Sequence, residues 1–393
     1  MSLELMDVVW VSLWLFTLLN VVAVAALSLV WLERKLLGRM QGRVGPTRVG
    51  PFGLLQPIAD GIKLLMKEDI APGSSSRVLF FVAPLLVFVP SYMVWITIPF
   101  GRDLFVRNLD LGLFFFVALS VLGIVGLVLA GWSSNSKYAI LGGFRSAAQL
   151  VSYEIPIIMT ILVVAMLAGS LSFHDVVLAQ DVVPYAAVQP LAFGVFLLAG
   201  LAEVGRTPFD IYHAESEVVG GPFVEYSGAH WAIFFLAEYI NTFMVGALGA
   251  LLFLGGWRWP VGDVPAAAGV ALFLFKTYAI VAVIFWVRAT YPRMRIDQLM
   301  SFGWKVLIPL SFAAFVVTAF QMFYGWPIWM LTLLSLVILV PPIYIQLRWQ
   351  RTPAMALAKH YAEIAVAVHA QPRPVPVAAV TEAHAAPGTE DDA

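Results

Sequence analysis

The chain has 393 residues, 61% apolar and only 12% charged, with a mean hydropathy of +0.88, which is far outside soluble-domain composition. It reads as an all-α, polytopic membrane protein. A net charge of −1 provides no concentrated basic surface, so nucleic acid is not an expected partner. The absence of cysteine excludes disulfides and any iron-sulfur cluster held by the chain's own thiolates.

The N-terminus, MSLELMDVVW, has no basic segment before its apolar run, so no cleaved signal peptide is expected and the first helix is retained. Crossing a hydrocarbon core of roughly 30 Å takes about 20 helical residues. Nine apolar runs approach that length, near 8–32, 77–99, 113–131, 148–170, 189–205, 229–255, 266–289, 301–323 and 327–347. They predict a single membrane domain over 1–350. Of the 23 Lys and Arg, 19 fall in the odd-numbered connections and the C-terminal tail, three fall in the even connections, and Lys276 lies inside a helix. The positive-inside rule then places the N-terminus outside and the C-terminus in the cytoplasm of a bacterial inner membrane.

The first connection begins basic and Gly/Pro-punctuated, with turns at Gly45-Pro46 and Gly50-Pro51. From about 52 to 67 the pattern changes. Leu54, Leu55, Ile58, Ile62, Leu65 and Met66 recur at helical spacing, while Asp60, Lys63 and Lys67 gather elsewhere. About 15 residues at 1.5 Å each are too short to span, so a helix lying on the cytoplasmic surface is predicted. Glu33 and Asp60 are acids at headgroup level, where a pure lipid anchor has no use for them.

The third connection, GWSSNSKYAILGGFRSAAQLVSYEIP at 131–156, reads as a polar turn leading into a helix that carries Glu154 in its first turns. Glu203 sits at the end of the fifth span. Glu238 and Asn241 share a face of the sixth. Ionisable groups inside membrane helices face the bundle interior and pair there. Three acids on consecutive helices face a single embedded base, Lys276, and they read as a proton path. Taken singly, each is also explained as a paired structural group, or as a side chain snorkelling from a helix end.

The fifth connection, RTPFDIYHAESEVVGGPFVEYSG at 206–228, crowds Asp210, Glu215, Glu217 and Glu225 between two apolar runs. An extended backbone there would aim residues 213, 215 and 217 one way, whereas a helix would separate neighbours by roughly 200°. No GxGxxG, P-loop, HExxH or Cys/His metal constellation is present, so no metal site is expected. No internal repeat points to an inverted-repeat transporter. Residues 351–370 fit a short cytoplasmic helix, and the Ala/Pro/Val-rich 371–393 reads as disordered.

Several of these stretches together resemble the quinone-site membrane subunit of respiratory complex I, NADH-quinone oxidoreductase (its H, or 1, subunit). They are ERKLLGRMQGRVGPTRVGPFGLLQPIADGIKLLMKE at 33–68, the third connection at 131–156, RTPFD at 206–210, and AESEVVGG and EYSG at 214–228. AEYINTFMVGALGALLFLGGW at 237–257 and WVRATYPRMRIDQLMSFGWKVLIPLSF at 286–312 complete the likeness, which runs collinearly from Trp31 to Phe312. The resemblance implies a proton-translocating enzyme of the respiratory chain that is not catalytic through this chain alone. Its substrate is quinone (ubiquinone or menaquinone), and its iron-sulfur clusters, FMN and NADH belong to partner subunits. Peripheral-arm subunits on the cytoplasmic face and the small and antiporter-like membrane subunits are the implied partners, besides lipid.

Carried over residue by residue, the resemblance places Glu33, Arg34, Arg39, Arg43, Arg48, Asp60, Lys63, Phe209, Asp210 and Glu225 at the quinone chamber. It places Glu154, Glu203, His213, Glu215, Glu217 and Glu238 on the acidic coupling path, which Glu225 adjoins. The family pattern reads PFD-hydrophobic-Pro-Glu-Ala-Glu; here Tyr212 and His213 stand at the Pro and first Glu, and a histidine can still carry a proton. Two other readings accompany this one. One is the equivalent membrane subunit of a membrane-bound hydrogenase or formate hydrogenlyase, and the other a stand-alone proton or cation carrier using Glu203 and Glu238.

Overall fold

The computed structural model describes residues 5–342 and 344, except 182, 213, 259 and 261–264, with backbone alone at 5–8, 215 and 216. The chain divides into two compact units, Met1–Ile338 and Leu339–Ala393. The expected helix over 351–370 and the tail at 371–393 lie outside the described residues.

The helices run α1 (Leu5–Met40), α2 (Gln56–Met66), α3 (Arg77–Met93), α4 (Gly112–Ser133), α5 (Lys137–Ala168), α6 (Phe173–Leu178), α7 (Tyr185–Val188) and α8 (Pro190–Glu203). They continue through α9 (Glu215–Val218), α10 (Gly228–Phe253), α11 (Ala266–Thr290), α12 (Ile296–Phe302), α13 (Ile308–Tyr324) and α14 (Ile328–Pro342). No strand occurs among the described residues, as an all-α membrane protein requires. Seven helical segments are long and apolar enough to cross a bilayer, counting Ile296–Tyr324 as one, and α8 and α14 are shorter apolar helices. Nine crossings were expected, and the helices at 189–205 and 327–347 are shorter than a span. The predicted surface helix is also present, as α2 behind a 3-10 turn at Pro51–Gly53.

The connections sort to two ends of the bundle. At one end, Ser76 N–H donates to Ser133 O (3.1 Å), Ile70 N–H to Ser227 Oγ (2.9 Å) and Met294 N–H to Pro208 O (3.0 Å). These bonds gather the first, third, fifth and seventh connections into one face, called here the basic face. At the other end, Leu113 N–H donates to Leu171 O (3.0 Å), and Arg258 pairs with Asp181 (3.0 Å). Helix α10 is the central post, buried without interruption from Thr242 to Phe253. It is small-residue packing that brings its neighbours close: a Cβ at Gly246 would press on Val281 and Thr277 of α11, and one at Gly200 of α8 on Val245.

Two departures from the sequence reading matter for the site. Helix α5 begins at Lys137 rather than near 148, so Glu154 lies well inside the helix and not in its first turns. The polar Lys137–Gln149 stretch is helical because the tertiary structure covers it: a Cβ at Gly142 would collide with Gly221 of the fifth connection. Helix α8 has 14 residues, about 21 Å at 1.5 Å per residue, and falls short of a full crossing. Beyond it, Val204, Gly205, Arg206, Pro208, Phe209, Ile211, Tyr212 and Ala214 are buried without helical structure. Such backbone is tolerated only where protein covers it and its polar groups are met. Gln149 of α5, 1% exposed, meets one of them and ties it to the end of α8: its Nε2 donates to Phe209 O (2.6 Å) and Ala202 O (2.7 Å).

Candidate functional site

The interior holds a run of polar side chains from the basic face into the bundle. It starts at Glu33, near the end of α1, which is 3% exposed. Glu33 forms an ion pair with Arg288, in the last turn of α11, and accepts a hydrogen bond from Tyr239 Oη (2.7 Å) on α10. The Tyr239 ring packs against the Arg206 guanidinium, 4.6 Å from its centroid. Arg206, 6% exposed, lies 3.9 Å from Glu238, one helical residue before Tyr239. A buried arginine retains its charge and is tolerated when a carboxylate and an aromatic face receive it.

From Glu238 the run continues through space shaped by side chains. Glu203, Tyr212, Glu238 and Asn241 line a cavity of about 60 Å³ together with Ser120. A second cavity of about 40 Å³ is walled by Ser120, Glu203 and Asn241, and a third of about 20 Å³ by Ser120, Glu154 and Glu203. Each exceeds the roughly 10–15 Å³ that accommodates a water. Ser120 Oγ donates to Glu154 Oε1 (2.6 Å), while Glu203 Oε2 is buried and meets no hydrogen-bond donor among the described residues. Glu154, Glu203 and Glu238 are thus neighbours in one polar interior, although α5, α8 and α10 carry them separately. Hydroxyls and carboxylates in contact or bridged by water are able to pass protons.

Lys276 is not the base that answers these acids. Its Nζ donates to Leu254 O (2.6 Å) and Gly256 O (2.7 Å) just beyond the C-terminus of α10, at the opposite end from Glu33. Arg206 is the positive partner of Glu238, and Arg288 that of Glu33. In the sequence both look like basic flanks of apolar runs, and their pairings span many residues of chain. A lone arginine in an acidic connection was the visible signal for Arg206; Tyr239 and Ser120 gave none.

The remaining expected residues that are described lie on or near the basic face. Asp60 of α2 takes Arg34 Nη1 (2.6 Å), Lys63 Nζ (3.2 Å) and Gln56 Nε2 (3.2 Å), tying α2 to the end of α1. Burial alone would raise the Asp60 pKa, but the bonds from Arg34, Lys63 and Gln56 outweigh it and hold the carboxyl below its ordinary 3.8. Arg39, Arg43 and Arg48 are exposed nearby. Asp210 accepts from Arg293 (3.0 Å), and Glu217, on the surface, pairs with Arg145 (2.6 Å). Phe209 is packed against Tyr153 and Phe302, and Glu225 is partly exposed. His213 lies outside the described residues, and Glu215 is described by its backbone, at the start of the four-residue α9. Helical backbone at 215–218 does not align residues 215 and 217 on one side, as an extended chain would.

Fold and site together define a polytopic, all-α membrane protein whose interior carries carboxylates and arginines beside its apolar core. The sequence profile of the NADH dehydrogenase family matches residues 13–319, and the chain belongs to that family. The NADH-quinone oxidoreductase H subunit of Dehalococcoides mccartyi strain CBDB1 is 49% identical over 314 residues, 79% of this chain and 87% of that relative. The H subunit of Geobacillus kaustophilus strain HTA426 is 52% identical over 288 residues, covering 73% and 86%. That of Bacillus cereus strain B4264 is 46% identical over 306 residues, covering 78% and 90%.

Proposed function

We propose that this chain is the H subunit of a proton-translocating NADH-quinone oxidoreductase. Other subunits of that complex are its partners, and it does no redox chemistry by itself. With peripheral-arm subunits it forms the chamber that admits quinone from the lipid, the basic face being cytoplasmic. Having no cysteine, it leaves iron-sulfur chemistry, FMN and NADH to those partners. Around the chamber stand α2 with its Arg34–Asp60–Lys63 cluster, the exposed arginines 39, 43 and 48, and the fifth connection.

The observation that carries the reading is the continuity of polar groups from Glu33 at the basic face, through Tyr239, Arg206 and Glu238, to Glu203 and Glu154. Quinone takes two electrons from a partner's cluster and two protons to become quinol, and charge is unbalanced until the protons arrive. A unit charge roughly 10 Å from a carboxylate changes its energy by about 2 kcal/mol at an effective dielectric near 20, enough to alter its protonation by about tenfold. Arg288–Glu33 and Arg206–Glu238 are the pairs that receive this perturbation, and Glu203 and Glu154 pass it towards neighbouring membrane subunits. In the assembled complex, Glu203→Gln and Glu238→Gln are expected to cut quinone-coupled proton translocation at least tenfold. Unchanged rate and stoichiometry in both variants would end the reading.

A further inference from the structure

We propose that Tyr212 is the relay that joins Glu238 to Glu203, so that the path crosses the broken end of α8 through a phenol hydroxyl. This rests on the proposed coupling role of the two carboxylates and names the group that connects them.

The placement of the ring is the argument. Tyr212 is 4% exposed and lines the 60 Å³ cavity together with Glu203, Glu238 and Asn241. Its hydroxyl reaches back across its own segment to residue 205, where a Cβ would collide with the phenol oxygen. Gly205 also has φ +64°, which favours glycine. The backbone thus leaves, directly beyond α8, a space that the phenol fills. Glu203 and Tyr212 belong to the two ends of the buried irregular segment, and Gln149 fixes it at Ala202 and Phe209. The phenol is consequently seated against the backbone at residue 205, in a segment tied to α5.

The chemistry suits the position. A phenol with an ordinary pKa near 10 stays neutral at physiological pH, and it both donates and accepts. In the transfer, the hydroxyl gives its proton to the Glu203 carboxylate and takes one from the Glu238 carboxyl, directly or through a water in the cavity. Tyr212 ends unchanged, and one proton has moved from α10 to α8 with no ion left between. The phenol thus supplies a fixed neutral group, both donor and acceptor, between the two carboxyl groups, where otherwise water alone would have to bridge them.

Tyr212→Phe keeps the ring and its packing while removing the hydroxyl. In the assembled complex in sealed vesicles, quinone-driven proton translocation is expected to fall about tenfold, with a changed solvent deuterium isotope effect. Quinone reductase activity should persist once the gradient is collapsed by an ionophore. If Tyr212→Phe pumps like the wild type while Glu203→Gln does not, the relay is overturned and the acidic path stands. Wild-type pumping in both overturns both. Should Tyr212→Phe fail to assemble, a ring-fluorinated tyrosine incorporated at 212 acidifies the phenol in an otherwise native complex. The pH profile of translocation is then expected to shift, and an unshifted profile overturns the relay.

Discussion

Replacing Gln149 with Leu tests the architecture beneath the site. The Gln149 amide sits on α5 at 1% exposure, and its Nε2 bridges Ala202 O at 2.7 Å and Phe209 O at 2.6 Å. Leucine has similar bulk and no donor, so both carbonyls lose this bond inside the protein. Ala202 O keeps the Gly205 N–H (3.1 Å), so Phe209 O is the acceptor left without its donor, at a cost of roughly 1–3 kcal/mol. Part of that is recovered if the segment 204–212 shifts to find water, which would displace Glu203 and Tyr212 from their common cavity. Thermal unfolding of the purified complex, followed through this subunit, should therefore begin at a lower temperature, with translocation impaired more than quinone reduction. Gln149→Glu, which cannot donate when ionised, should be at least as damaging. Native thermal stability together with native coupling in Gln149→Leu would show that the segment is held by something else, and the argument would fail.

Two further outcomes follow from the same geometry. Asp60 has a folded-state pKa below its ordinary 3.8, so its ion pairs stabilise the α1–α2 junction fully above pH 3.8. That contribution is lost as the pH falls through the lower folded value. With Arg34 and Lys63 partly exposed, it amounts to at most about 1 kcal/mol. Spin labels on α2 should show unchanged mobility from neutral pH down to the ordinary carboxylate range and loosening only below it. Lys276→Met removes the donor to Leu254 O and Gly256 O, at a cost of about 2–4 kcal/mol. It should lower the melting temperature while leaving coupling intact, because Lys276 stands at the end of the bundle away from Glu33; lost coupling with native stability would contradict that placement.

The spans were legible in the sequence because bilayer thickness imposes a length on apolar runs, and the period of α2 was legible because only one of its faces is apolar. What misled at α5 was composition: Lys137 and Arg145 look like connection residues, yet each has a helical backbone, with Arg145 salt-bridged to Glu217. Glu154, Glu203 and Glu238 stood out because acids in apolar runs are costly. The cations paired with Glu238 and Glu33 stood out less. Arg288 and Arg206 sit beside helix ends, where a positive charge needs no special explanation. Only the tertiary fold brings Arg288 to Glu33, more than two hundred residues earlier in the chain. Lys276, conspicuous inside a helix, was conspicuous for a different reason: it satisfies carbonyls beyond the C-terminus of α10. The fifth connection, read as one acidic loop, is two structures. Its first half is a buried continuation of α8, and its second half carries the salt-bridged Glu217 to the surface while Val218, Pro222 and Tyr226 pack inside.

The central claim is that quinone chemistry at the basic face is felt by carboxylates inside the bundle. Infrared difference spectra of the assembled complex, recorded between oxidised and reduced quinone, test it most directly. The account predicts a redox-linked change in the carboxylic-acid carbonyl region that disappears in Glu203→Gln and Glu238→Gln while the quinone bands remain. A carboxyl signal that survives unchanged in both variants, or no such signal in the wild type, would contradict it.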